Sequence, residues 1–325
     1  MTAYLLRRSF QTVLTLFVMS VLVFVGVYMI GNPVDVLISA SATPQERQDI
    51  IRAFGLDQPV WTQYWTFLTN SLAGDLGNSF VFNQPALKLI LSRMPATLEL
   101  AFCALVLAVF VGIPLGVWAG LKPDRLTSRM IMTFSILGFS LPTFWIGLML
   151  VMLFSVKLGW LPASGRGQTV ELLGVPVSFL TWDGLAHLIL PAINLALYKV
   201  SLVIRLTRAG VIECLQMEYI RFARAKGLTD ARIVFVHVLK NTLIPLITVI
   251  GLELGSVIAF AVVTETVFSW PGMGKLIIDA IGNLDRPLIL AYLMIIVLMF
   301  SLINLVVDIL YSVVDPRVRL EGGSE

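Results

Sequence analysis

The stretch "EYIRFARAKGLTDARIVFVHVLKN", Glu218 to Asn241, breaks the character of the chain around it. Arg221, Arg224, Arg232, Lys226 and Lys240 stand in it, Glu218 opens it, and Gly227 falls near its middle. On either side run apolar stretches long enough to cross a bilayer. Within Glu218–Gly227 the polar residues Glu218, Arg221 and Arg224 recur every three positions, while Tyr219, Phe222 and Ala223 share another face. That spacing predicts a short amphipathic helix. Gly227 is placed to end it in the left-handed conformation. Thr229 or Asp230 then caps a second helix running through His237 toward the membrane. The segment reads as a helical hairpin held in water between two spans. Two uses fit such a hairpin. It can lie on anionic lipid, or it can dock into a groove on a soluble partner, where Ala223, Ala225 and Gly227 allow close approach.

Composition sets the class. The chain has 325 residues, 58% hydrophobic and 13% charged, with mean hydropathy +0.90. A soluble domain carries about a quarter charged residues, so this chain is solvated largely by lipid. A net charge of +3 argues against nucleic acid as a partner. Cys103 and Cys214 are too few for a disulfide framework and read as small apolar fillers. His187 and His237 each stand without a second ligand at metal-binding spacing, so no metal site is expected.

A hydrocarbon core of about 30 Å needs roughly 20 apolar residues in a helix. Six stretches qualify: Phe10–Ile30, Leu100–Leu121, Met130–Val156, Leu185–Leu206, Thr242–Thr264 and Leu288–Val307. The fourth is the weakest, holding Asn194 and Lys199; the fifth holds one charge, Glu253. Phe10–Ile30 follows Arg7-Arg8 as a signal peptide would. Its apolar stretch is too long and no small-residue cleavage site follows, so it reads as a retained first span. Basic residues are concentrated around Arg7-Arg8, in Lys122–Arg129, in Arg205–Lys240 and at Arg317 and Arg319. By the positive-inside rule these segments, and both termini, are cytoplasmic. The expected order is a cytoplasmic N-terminus 1–9, a span 10–30, an extracytoplasmic segment 31–99, a core 100–311 holding the cytoplasmic loop 207–241, and a cytoplasmic tail 312–325. In the first outer segment, "GLDQPVWTQYWTFL" predicts a turn at Pro59. A helix follows, with Val60, Tyr64, Phe67 and Leu68 on one face.

The loop sequence "YIRFARAKGL…HVLKNTLIP" resembles the cytoplasmic coupling loop of permease subunits of ABC importers, in the dipeptide, oligopeptide and nickel branch. "YLLRR", "GLDQPVWTQYWTFL…GDLGNSF", "RMPATLEL", "VGIPLGVWAG", "TETVFSWPGMGKL" and "NLVVDILYSVVDPRVR" resemble the same branch, in order, over nearly the whole chain. In the general permease pattern the loop reads Glu-Ala-Ala, three residues, Gly, then Ile-x-Leu-Pro. Here Arg221, Phe222 and Ala223 stand at the first three positions and Gly227 matches the glycine. His237 to Lys240 occupy the last four, where Leu239 alone matches. "IGNP" departs from the branch's usual Pro-Gly-Asp-Pro.

The resemblance implies an all-α integral membrane protein of the bacterial inner membrane, with six spans in the type I ABC importer permease fold. It implies no chemistry on this chain and no cofactor, ATP and magnesium belonging to partner subunits. "PGMGKLI" agrees, since Gly274-Lys275 lacks both the preceding glycine and the following Ser or Thr of a phosphate loop. The implied partners are a second homologous permease subunit, two ATPase subunits, an extracytoplasmic binding protein and membrane lipid. The implied coupling residues are Glu218, Tyr219, Arg221, Phe222, Ala223, Arg224, Ala225, Lys226 and Gly227.

Inside the spans, Gly112, Gly116 and Gly120 repeat every four residues, a face that lets helix backbones approach. Glu99, Glu265 and Asp308 sit near span ends, where solvation or a nearby partner accounts for them. Glu253 lies mid-span between Gly251 and Gly255. If the glycines pack on a neighbouring helix, Glu253 points away from them, either into a pathway or into a buried bond with another span. A self-contained, proton-coupled peptide carrier using Glu253 is the alternative function. An intramembrane enzyme finds no paired aspartates, Ser-His pair or ligand set at depth.

Overall fold

The computed structural model describes residues 2–30, 43–53, 55 and 57–314. In chain order the helices are α1 (Thr2–Ile30), α2 (Pro44–Ala53), α3 (Val60–Leu72), α4 (Ala86–Leu121), α5 (Leu126–Ser140) and α6 (Thr143–Leu150), which continues as a π-helical segment to Lys157. A β-hairpin follows, β1 (Val170–Leu172) and β2 (Val175–Val177). Then come α7 (Trp182–Gln216), α8 (Glu218–Ala225), α9 (Asp230–Arg232), a π-helical segment Ile233–Val238, α10 (Leu239–Val267), α11 (Met273–Gly282) and α12 (Arg286–Val314). Among the described residues five helices are long and apolar enough to cross a membrane, and a sixth span exists if α5 and the α6 segment count as one.

That sixth span corrects the expected unbroken Met130–Val156. α5 and α6 meet at 105°. The cause is Pro142, whose ring forces the residue before it out of the helical region; Leu141 is extended, at φ −82° and ψ 138°. Elsewhere the spans are longer than expected, α4 starting at Ala86 rather than Leu100, and the weakest, α7, has the most buried apolar window. Residues 31–33 of "IGNP" and the tail from 315 onward lie outside the described residues, as do the side chains of Arg7, Arg8 and Asp308.

The chain divides into two compact units. In the first, residues 1–95 with 271–302, the helix expected after Pro59 is α3. Tyr64 is buried and meets Phe24 of α1 edge-on at 5.3 Å, with its hydroxyl 2.9 Å from Ser20 Oγ. Phe67 packs on the same Phe24, whereas Val60 stays exposed. Asp285, fully buried, accepts hydrogen bonds from Ser79 Oγ and from the backbone N–H groups of Phe80 and Val81.

In the second unit, residues 96–270 with 303–325, the glycine ridge of α4 lies on α7. A Cβ on Gly112, Gly116 or Gly120 would come within 2.7 Å of Val203, Thr207 or Val211 respectively. The matching four-residue steps show that α4 and α7 run parallel in close backbone contact. α10 runs the other way along α7, Asn194 meeting Thr264 and Gly210 meeting Thr242. The hairpin β1–β2, absent from the all-α expectation, turns on Leu173 and Gly174, both at positive φ (54° and 78°). Two positive-φ residues in a two-residue loop give the turn that matches strand twist.

Candidate functional site

α7 ends at Gln216, and one extended residue, Met217 (φ −70°, ψ 144°), redirects the chain into α8. The helix is eight residues long and strongly two-faced. Ile220 and Ala223, three apart, are buried in a cluster with Val211 and Cys214 of α7 and Ile233 and Val238 of the π-helical segment. Val117 and Leu121, at the end of α4, pack against the same cluster. A short helix cannot hold itself in water; this one is seated by its inner face.

Gly227 ends the helix as its position predicts. It takes φ +76°, its N–H donates to Arg224 O at 2.9 Å, and the next N–H, of Leu228, donates to Ala223 O at 3.2 Å. This is the Schellman arrangement, with Leu228 returning to the apolar cluster beside Ala223. The second arm differs from expectation. Thr229 occupies the capping position, but its side chain makes no capping bond. The arm is a single α-turn followed by wider π-helical turns that lead into α10.

The outer face carries Glu218, Tyr219, Arg221, Phe222, Arg224, Ala225 and Lys226, all exposed. Arg221 reaches Glu218 at 2.7 Å, and Lys226 Nζ lies 4.5 Å from the Phe222 ring centre. Tyr219 is tethered at its hydroxyl, 2.9 Å from Cys214 Sγ and accepting from Asn241 Nδ2 at 2.7 Å. Partial burial, then the Cys214 contact, hold its phenol above the ordinary range. One expectation is corrected here. Ala223 does not share the outward face with Tyr219 and Phe222; it is 7% exposed and part of the seat. Cys214 is equally buried beside it.

Glu253 faces Lys199 of α7, with which it forms an ion pair, and Ser256 Oγ lies 2.6 Å from both Lys199 Nζ and the Glu253 carboxylate. Gly251 is on the other side of α10, where an added Cβ would lie 3.1 Å from the Val307 methyls, and Gly255 is buried. Lys199, which the sequence shows only as a weakness of its span, does leave one signal there: two lone opposite charges in spans flanking one loop are natural partners.

A second missed cluster lies at the opposite end of α4 and α7 from α8. Glu99 is buried and accepts from Arg166 Nε (3.0 Å) and Nη2 (2.5 Å), Ser178 N (2.6 Å) and Oγ (2.9 Å), and Phe179 N (3.0 Å). Glu265 is fully buried and accepts from Thr97 at 2.7 Å. Partners, not water, account for both. Nothing in sequence spacing announces a bond across 67 residues. Among the described residues no group of three His, Cys, Asp or Glu could hold a metal.

A bundle of apolar helices with a seated, outward-charged helix on one connecting loop is the layout of an integral membrane protein. The family models agree. Residues 112–320 match the binding-protein-dependent transport system inner membrane component, and residues 1–101 match its N-terminal membrane component. The chain is 40% identical over 333 residues to the di/tripeptide transport system permease protein DppB of Pseudomonas aeruginosa. It is 38% identical over 336 to the dipeptide transport system permease protein DppB of Escherichia coli K12. It is 37% identical over 320 to the glutathione transport system permease protein GsiC of the same strain. Each match covers 98% of this chain and 99% of the relative. The inward-facing MetNI methionine ABC transporter superposes with TM-score 0.56 at 17% identity, over 70% of this chain and 97% of that one, which shows the fold. The chain belongs to the binding-protein-dependent transport system inner membrane component family. It is a non-catalytic, multi-pass permease subunit of an ABC importer in the bacterial inner membrane, and it works with ATPase and binding-protein partners.

Proposed function

We propose that the chain forms half of a translocation pathway for di- or oligopeptides, paired with a second homologous permease subunit. Two ATPase subunits, carrying the ATP and magnesium, engage the loop 207–241, and an extracytoplasmic binding protein delivers cargo to the other side. The peptide class is supported by relatives named for dipeptides, tripeptides and glutathione, itself a tripeptide. The observation that carries the coupling role is the division of labour in α8. Its inner face is fully used by Ile220 and Ala223, leaving Phe222, 61% exposed, and Tyr219 among basic side chains as the surface offered to a partner. An exposed aromatic beside charges is the composition of an interface anchor. Glu253, whose side chain keeps 27% of its exposure, is assigned to the pathway wall, with Gly251 and Gly255 as its packed backing.

Sidedness follows from the basic residues, placing α8 and both termini in the cytoplasm and β1–β2 outside. Arg224→Cys should react with an impermeant thiol reagent only when the cytoplasmic side is open, and Leu173→Cys, at the 97%-exposed hairpin tip, should react in intact spheroplasts. For function, the complete complex in proteoliposomes should take up labelled dipeptide only with ATP. Phe222→Asp should release the ATPase subunits on purification while the permease still inserts. Full uptake by Phe222→Asp would reduce the hairpin to a lipid contact, and uptake without ATP would favour a proton-coupled carrier.

A further inference from the structure

The coupling hairpin is flanked by α7 before it and α10 after it, and these two helices are fastened together along their length. Asn194 Nδ2 donates to Thr264 Oγ1 at 2.9 Å. Lys199 pairs with Glu253 and donates to Ser256 Oγ at 2.6 Å. Nearer the hairpin, a Cβ on Gly210 would lie 2.8 Å from Thr242 Cγ2. Residue numbers rise along α7 as they fall along α10, so the three ties hold the pair in one antiparallel register.

The middle tie differs from the others in kind. Lys199 is 4% exposed, and its ammonium is neutralised by one carboxylate. A neutral hydrogen bond can be exchanged for a neighbour as helices slide. A lysine in hydrocarbon parted from its counter-ion cannot be so easily resolvated. At 1.5 Å per residue the tie sits about 25 Å along α7 from the hairpin and about 20 Å along α10. That is a position from which movement of α8 is passed deep into the membrane.

We propose that the Lys199–Glu253–Ser256 contact is a transmission pin. It makes α7 and α10 move as one body when the ATPase moves α8, so Lys199 is a positioning residue for transport. This rests on the coupling role assigned to α8, and it adds a task for the buried face of Glu253 beside the pathway role of its exposed edge. Small-residue packing along α4 then carries the motion of the pair to its neighbour.

The test uses the complete complex in proteoliposomes and reads dipeptide taken up per ATP hydrolysed. Glu253→Gln and Lys199→Met each leave one charge unpaired, and either can fail to assemble. The deciding variants are therefore the apolar pair Lys199→Met with Glu253→Leu, which strands no charge, and the exchanged pair Lys199→Glu with Glu253→Lys. The pin predicts that the apolar pair assembles but loses about tenfold in uptake per ATP, in the ordinary range of coupling between sites. The exchanged pair should recover most of that loss. An apolar pair with the wild-type ratio, or an exchanged pair as uncoupled as the apolar one, overturns the proposal. A wild-type complex that hydrolyses ATP in response to its binding protein yet takes up no dipeptide would sink the peptide reading alone. In that case the stimulation of hydrolysis by the binding protein, lost in the apolar pair and recovered in the exchanged pair, still decides the pin.

Discussion

The two ends of α4 and α7 use charge in opposite ways. At one end Glu99 is drawn inside and saturated by five hydrogen bonds, so that Arg166, Ser178 and Phe179 fasten the loop carrying β1–β2 to α4. At the other end α8 is fastened by apolar side chains, and its charges are left in water. A buried carboxylate has no reserve for a partner. An exposed Arg or Lys retains its full hydrogen-bonding capacity. The contrast separates a part built to stay put from a part built to be grasped.

Substitutions can sharpen or break that contrast, and the largest effect belongs to the buried end. Glu99→Gln removes the counter-ion of the Arg166 guanidinium, whose side chain is 11% exposed and keeps a hydrogen bond to Pro176 O. Breaking one partner of a buried pair costs about 3–5 kcal/mol. Thermal unfolding of the detergent-solubilised protein should show the drop, and a variant as stable as wild type would mean that the clasp is not what holds the loop. Next in size is Ala223→Arg. It forces a charged chain into the cluster of Ile220, Ile233 and Val238, where overpacking alone costs about 1–3 kcal/mol. It should unseat α8 and abolish uptake while the spans still insert. Uptake intact would place Ala223 outside the seat.

Gly227→Val should cost less. Nothing lies within 4 Å of an added Cβ, so the whole penalty is the left-handed backbone, about 1–2 kcal/mol. Gly227→Asn, which tolerates that conformation better, should recover part of the lost uptake. Equal loss in both would point to a contact with a partner rather than to the turn. The smallest effect is expected of Glu218→Gln, which removes the exposed pair with Arg221. Such pairs contribute about 0.2–1 kcal/mol. The melting temperature should barely move, whereas a shift as large as that of Glu99→Gln would erase the distinction between the two ends.

Much of this was legible because lipid makes a strong demand that residues advertise locally. Apolar length marked the spans, a period of three marked α8, and Gly227 marked its end. Misreadings came from local chemistry given too little weight. Pro142 in an otherwise apolar run bends α5 against α6, and Leu173-Gly174 builds a hairpin from an unpromising pair. Spacing groups Ala223 with Tyr219 and Phe222 on α8, whereas packing buries Ile220 and Ala223.

Sequence alone determined that the chain lives in lipid and where the hairpin lies. Those properties depend on hydropathy, charge and backbone preference over neighbouring residues. Only the tertiary structure decided which charges would meet. Glu99 with Arg166 and Lys199 with Glu253 are joined across 67 and 54 residues; only the second pair, two lone opposite charges in spans flanking one loop, leaves a signal in the sequence, and no periodicity encodes either pairing. It arises because helices packed through small residues bring distant side chains into a medium where an unpaired charge is too costly to leave alone.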